Sequence, residues 1–310
     1  MKTLVTGAAG FIGSNLVQRL SEVGEVRGLD DLSTVYLRNI EGLRLDFIGG
    51  STLDEVILKK AIQGCDAIVH LAARPSVPRS LAEPQKSHES NATGTLRVLD
   101  AARSLNDPIV IVASSSSVYG ANPTLPKSEA ALPMPMSPYA VSKLAAEQYA
   151  LAWQSSYGMK TLPFRFFNVF GPKQAPDHDY AAVVPTFIAS ALRGEILQIN
   201  GDGLQSRDFT FVGTVCDVIA EAITQRVSHN GPVNLAFGTR TSLLKVIEIL
   251  ERIMGQSLQV THREDRIGDV RHSQADNSVL KKLFPEVNPV SLEEGLRTTV
   301  QWLQNYLGIK

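Results

Sequence analysis

TLVTGAAGFIG, residues 3–13, runs four apolar or β-branched residues straight into glycines at 7, 10 and 13. TLVT (3–6) predicts a strand. FIGSNLVQRLSEVG (11–24) carries apolar residues at helical spacing and stops at Gly24, which predicts a helix. A glycine run between a strand and a helix has a physical task at each position. Gly7 permits the tight turn out of the strand. Gly10 lets backbone N–H groups approach a pyrophosphate at the helix N-terminus, and Gly13 lets helix and sheet pack closely.

The next strand, EVRGLD (25–30), ends on Asp30. A carboxylate there can accept hydrogen bonds from both hydroxyls of an adenosine ribose, and it repels a 2′-phosphate. The pair therefore favours NAD over NADP. Alternation continues through LRLDFI (43–48), DEVILKKAIQG (54–64), DAIVHLAA (66–73), a helix around 84–105, PIVIVASSS (108–116), a helix from Pro138 to about Tyr157, and KTLPFRFFN (160–168). Strands alternating with helices predict an α/β fold, a Rossmann doubly wound parallel sheet with ligands at the carboxyl ends of its strands. After residue 172 the pattern loosens. GPKQAPDHDY is loop-like, and helices are expected at 183–194, 211–224 and 243–255. The expected division is an NAD-binding domain over 1–172, with later segments returning to it. Residues 173–310 mainly form a smaller, interleaved α/β substrate domain.

Composition narrows the classes. The 310 residues are 44% hydrophobic and 20% charged with a net charge of -1, so no basic field points to nucleic acid. Two distant cysteines, Cys65 and Cys216, suit a reducing compartment without a disulfide framework. No run approaches the roughly 20 apolar residues of a membrane span, and glycines interrupt the opening apolar run before a signal h-region forms. The expectation is a cytoplasmic protein with no membrane partner.

SPYAVSK (137–143) places Tyr139 and Lys143 four apart behind Pro138. At that spacing both side chains share one helix face. A lysine ammonium beside a phenol lowers the phenol's pKa. Alone, the pattern is common by chance and reads as an ordinary amphipathic helix with an exposed lysine.

Taken together, TGAAGFIG, LDDLS, HLAA, SSSSVYG, SPYAVSK, RFFNVFGP, INGDG, SRDF and GDVRHSQAD resemble the extended short-chain dehydrogenase/reductase family, and within it the nucleotide-sugar 4-epimerases, over nearly the whole chain. The resemblance implies NAD kept through turnover and a UDP-sugar gripped by the C-terminal part. It makes Tyr139 the acid/base at the sugar 4-hydroxyl. Lys143 is then the partner of the nicotinamide ribose, and with the oxidised nicotinamide it holds Tyr139 near the phenolate. Ser115 matches the serine or threonine that bonds the same oxygen, with Ser116 and Ser117 at the sugar; a run of four serines allows a slip by one. The hydride leaves C4 for NAD, the 4-keto sugar swings over, and the hydride returns to its other face.

Further implied cofactor contacts are Phe11, Ile12, Asp31, Ser51, Leu71, Ala72, Ala73 and Asn91. Implied substrate contacts are Val77, Asn168, Val184, Arg207, Arg266, Asp269 and Ser273. Arginine forks suit a diphosphate. No metal is implied. The serine run carries no carboxylate, which favours epimerisation over dehydration or decarboxylation. Ser273 stands where a bulky tyrosine restricts some epimerases, and leaves room for an N-acetyl group. The pattern is most similar to UDP-N-acetylglucosamine 4-epimerases. A UDP-glucuronate epimerase, and a 4-ketoreductase or dehydratase of the same fold, are the alternatives. Ser51 replaces the usual aspartate at the adenine, and Gly213-Thr214 replace an Asp-Asp pair. By family analogy, helices 84–105 and 138–157 pair in a homodimer.

Overall fold

The computed structural model describes residues 1–177, 181–264 and 270–309. The opening stretch folds as read: β1 (Lys2–Thr6), α1 (Phe11–Leu20) and β2 (Glu25–Asp30). β3 (Asp46–Gly49), β4 (Ala67–His70), β5 (Ile109–Ser115) and β6 (Lys160–Phe166) follow, and Val233–Leu235 supplies a seventh strand. All seven are parallel, in the order Val233–Leu235, β6, β5, β4, β1, β2, β3. Strand order reverses between β1 and β4, so a crevice opens at their carboxyl ends. Register sets Thr6 beside His70, Asp30 beside Gly49 and Ser115 beside Phe166, which brings the functional termini to one edge.

Successive strand residues face opposite sides. Leu4, Leu29, Ile68, Val110 and Val112 therefore join one core, and Val5, Val69, Ile111 and Phe164 join another. On the first side lie α2 (Glu55–Ile62) and the segment expected as one helix over 84–105. α3 (Val77–Ala82) precedes that segment, which is helical as α4 (Pro84–His88), a π turn (Glu89–Thr93) and α5 (Gly94–Ala102). Pro84 explains the break between α3 and α4. It lacks an N–H and holds Glu83 out of helical geometry, at φ -132 and ψ 65. α6 (Pro138–Tyr157) completes this layer, with Ser137 capping its first turn by accepting from the Ala140 N–H at 3.2 Å.

Beyond β6 the chain builds a second core from α7 (Val183–Leu192), the parallel strands Leu197–Asn200 and Val260–Arg263, α9 (Leu243–Met254) and α11 (Leu292–Leu307). Phe187, Ile188, Ile199, Val246, Leu250, Leu296 and Leu303 meet there. It is interrupted twice. α8 (Val212–Thr224) packs on α1, and its Val215 and Ile219 join the core under β1. The helix expected at 211–224 thus starts one residue later and belongs to the large sheet. α10 (Ser278–Leu283) lies against the seventh strand. Thr214, one of the atypical pair, accepts the Val290 N–H at 3.1 Å and so ties α8 to the approach of α11. Among the described residues no helix is long and apolar enough to cross a membrane.

Candidate active site

A cleft of about 510 Å³ opens over the carboxyl ends of the strands, within the range of a small-molecule site. Gly7, Gly10, Phe11, Ile12, Gly13, Asp30, Asp31, Ser51, Leu71, Ala72, Ala73, Ser115, Tyr139 and Lys143 all line it. The glycines leave room that no other residue could. Gly7 has φ +71, and a Cβ there would lie 2.8 Å from the Ala72 nitrogen. A Cβ on Gly13 would lie 2.0 Å from the Gly7 carbonyl oxygen. Asp30 accepts from the Ala9 and Leu32 N–H groups, each at 2.9 Å, which fixes its carboxylate at the rim. Burial pushes that carboxyl above its usual range, and the two N–H groups oppose the shift. The Ser51 hydroxyl accepts from the Leu53 N–H at 3.2 Å while lining the cleft.

A polar chain stiffens the floor. The Thr6 hydroxyl accepts from the Ala72 N–H at 3.2 Å, which leaves its proton for His70 Nδ1 at 2.7 Å. Thr95 donates to the Asn91 carbonyl at 2.6 Å and so receives the His70 Nε2–H at 3.0 Å. The tautomer is fixed by its partners, and His70 is neutral. Burial, with the charge of Lys143, brings its pKa down to about 3. Asn91 does not line the cleft. Its side chain bonds the backbone of Arg74 at 2.7 and 3.2 Å and the Ser142 hydroxyl at 2.9 Å. It shapes the wall from behind, through groups already occupied.

Tyr139 is half-buried and Lys143 buried, one turn apart on α6. Tyr139 is hydrogen-bonded to Ser115, which favours its anion, but burial is the larger effect and raises the phenol above its ordinary value. Lys143 donates to the Ala113 carbonyl at 2.7 Å, and burial lowers it to about 8. The expected lowering of Tyr139 by Lys143 is therefore corrected: burial raises the phenol, and the lowering that opposes it comes from the Ser115 hydrogen bond. The serine run also resolves. Ser114 points to Glu147 at 2.7 Å, whereas Ser115 accepts from the Ser117 N–H at 3.2 Å and its hydroxyl at 2.9 Å. Ser115 thus keeps its own proton for the phenol oxygen.

The sugar-side residues are more dispersed. Asn168 donates to the Asp208 carbonyl at 3.4 Å. Arg207 lies in the strand Ser206–Arg207 and donates to the carbonyls of Ser206 and Arg271. Ser273 is brought beside it, its N–H bonded to the Ser206 carbonyl at 3.0 Å. Ser116 and Ser117 form the turn after β5. Val77 starts α3 and is exposed. Val184 sits in the second core, since the helix turn it shares with Phe187 and Ile188 faces inward. Arg266 and Asp269 lie outside the described residues.

Residues 3–236 match the model of the NAD dependent epimerase/dehydratase family. The chain belongs to that family. Its cofactor is NAD, and the glycine cradle with Asp30 at its rim fits a dinucleotide. Among its relatives, the UDP-glucose 4-epimerase of Mycolicibacterium smegmatis is 35% identical over 98% of this chain and 99% of that protein. The solved UDP-N-acetylglucosamine 4-epimerase of Methanobrevibacter ruminantium, in complex with UDP-N-acetylmuramic acid, superposes with a TM-score of 0.93 at 36% identity, covering 98% of both chains. The UDP-glucuronic acid 4-epimerase of Bacillus cereus, in complex with UDP-glucuronic acid and NAD, gives 0.89 at 32% identity over 99% of this chain and 100% of that one.

This member of the epimerase/dehydratase family also lines its cleft with residues that sequence motifs pass over. Tyr36 and Arg38 follow β2, while Trp302 and Tyr306 come from α11. The Arg38 guanidinium lies 4.7 Å from the Tyr36 ring centre and 4.9 Å from that of Tyr306, which stacks on Trp302 at 4.9 Å. Only the i, i+4 spacing of Trp302 and Tyr306 was a signal, and it named no partner. Arg74 and Arg79 line the wall near Ser76, and Arg74 is paired with Glu83 at 2.5 Å.

Proposed function

We propose that the protein is an NAD-dependent UDP-sugar 4-epimerase, an isomerase acting on UDP-N-acetylglucosamine and UDP-N-acetylgalactosamine. The observation that carries this reading is Tyr139 bonded to Ser115 at the cleft floor, beside a serine run with no carboxylate. A dehydration would need a carboxyl acid and base there. Epimerisation needs one group that takes a proton from O4 and returns it.

Tyr139 is that group, and Ser115 orients O4 by hydrogen bonding. Lys143 holds a positive charge one turn below, anchored on Ala113. NAD, when bound, would supply the acceptor and donor for the C4 hydride and, in its oxidised form, a positive charge that counters burial of the phenol. Gly7, Gly10 and Gly13 cradle its diphosphate, and Asp30 bonds its adenosine ribose. Arg207 grips the UDP diphosphate, and Arg266 joins it by family analogy. The small side chain of Ser273 supports an N-acetylated sugar. A uronate is less well matched: Lys173 donates to the Ser14 carbonyl at 3.4 Å, and Ala175 adds no charge.

The test is a panel of UDP-sugars incubated with the purified protein, with products identified by NMR. Inversion at C4 without added NADH, and NAD near one per chain on denaturation, is the expected result. Stoichiometric consumption of external NADPH would replace this reading with a ketoreductase. Leu81 of α3 and Val141 of α6 are exposed apolar residues. We take them as the face of a homodimer, to be checked by light scattering at micromolar protein. With both cysteines buried and free, the cytoplasm is the compartment we assign.

A further inference from the structure

Three residues of α6, spaced four apart, hold three consecutive residues of β5. Tyr139 bonds Ser115, Lys143 donates to the Ala113 carbonyl at 2.7 Å, and Glu147 accepts from the Ser114 hydroxyl at 2.7 Å. The third contact is the least expected, because Glu147 is fully buried and carries a charge. Arg165 matches it. Register pairs Arg165 with Ser114 across β5 and β6, so both side chains reach the same face and the same carboxylate. Arg165 Nε donates to Oε2 at 2.9 Å and Nη2 to Oε1 at 2.7 Å. Its guanidinium also lies 4.7 Å from the Tyr119 ring centre. Both carboxylate oxygens are satisfied and neither can rotate without breaking a charged bond.

A buried ion pair of this kind contributes little net stability compared with apolar residues of the same volume. What it supplies here is a fixed point. Ser114 is the residue immediately before Ser115, and Glu147 is on the same helix as Tyr139. We propose that Ser114 is a positioning residue for the reaction: its bond to the Glu147–Arg165 pair locks the strand end carrying Ser115 against the helix carrying Tyr139. The proposal rests on the epimerase reading above. It makes the serine run two devices, one residue facing the reacting oxygen and its neighbour facing backward as an anchor.

Ser114→Ala removes the anchor and leaves the ion pair intact, so the fold is not at risk. The expected result is a kcat about tenfold lower with KM within about twofold, as a small displacement of an acid/base group predicts. The thermal midpoint and bound NAD should stay near wild type. Ser114→Thr, which keeps the hydroxyl, should recover most of the lost kcat. A Ser114→Ala enzyme with wild-type kcat would overturn the proposal. So would a loss shared by KM and NAD content, which would mark a collapsed site instead.

A second readout needs no sugar. Around the phenol stand Ser115 from β5 and Lys143 one turn along α6, with Glu147 a further turn away. In the holoenzyme, the tyrosinate absorbance of wild type minus Tyr139→Phe reports Tyr139 itself. Its midpoint should move to higher pH in Ser114→Ala, as the Ser115 bond loosens, and an unmoved midpoint counts against the proposal. Wild-type protein inert toward every UDP-sugar would remove the epimerase reading, while this titration would still decide the anchor.

Discussion

The dinucleotide end of the cleft draws its groups from one continuous unit, β1–α1–β2, and from strand ends in register beside it. The proposed sugar-binding residues Arg207 and Ser273 come from a two-residue strand and a distant segment that meet through the Ser206 carbonyl. The first end is rigid by construction: its glycines leave no room to move, and the His70 chain fixes its floor. The second is assembled from pieces that many substitutions could alter without touching the sheet. On the proposed reading, chemistry belongs to the fixed geometry of one end, and choice of sugar to the adjustable other.

Substitutions that affect one end only would sharpen that contrast. The largest effect is expected from Tyr139→Phe, which should lower kcat about a thousandfold and leave UDP-sugar binding, measured by calorimetry, nearly unchanged. Ser273→Tyr should lower kcat/KM for UDP-N-acetylglucosamine roughly tenfold more than for UDP-glucose. Equal losses on both sugars would erase the division between the two ends. At the chemical end, kcat should decline as pH rises through about 8, where Lys143 loses its proton. Lys143→Arg should move that limb upward, since a guanidinium stays charged.

The smallest effect concerns stability. His70 is neutral in the fold, its pKa brought down to about 3 from 6.5. Above 6.5 neither state binds the proton. Between 6.5 and about 3 only the unfolded chain does, so stability falls with falling pH, by about 1.4 kcal/mol per unit from this group. Urea unfolding of wild type and His70→Asn between pH 6 and 4 should show the flatter slope in the variant. Parallel slopes would mean that the floor of the dinucleotide end does not depend on an uncharged imidazole.

The same contrast explains what could be read from sequence. TLVTGAAGFIG and Asp30 were legible because turn, helix start and strand end are set by neighbours in the chain. Tyr139 and Lys143 were legible as a helix face, but the Ala113 carbonyl that receives the lysine was not, because strand-to-helix contacts carry no local pattern. Ser114 and Ser115 are chemically identical in sequence. Only the alternation of faces along β5 turns one toward Glu147 and the other toward the phenol. Asn91 and Val184 matched a family pattern by position, yet packing turned their side chains into the wall and the second core. The helix start at Pro84 was legible because proline suits a first turn, whereas the π turn Glu89–Thr93 within that helix was not.

The late seventh strand has a consequence for how the protein is made. Until Thr224 is made the apolar underside of β1 and β5 lacks α8, and until Leu235 is made β6 keeps a bare edge. A nascent chain in that state presents both an unpaired strand and an oily surface. The large sheet, though nearly all of it is translated first, closes only after the chain that begins the second core has emerged. Folding of the two halves is thereby coupled in time, and a chain cut after residue 172 should be an aggregation-prone fragment, not a free-standing nucleotide binder.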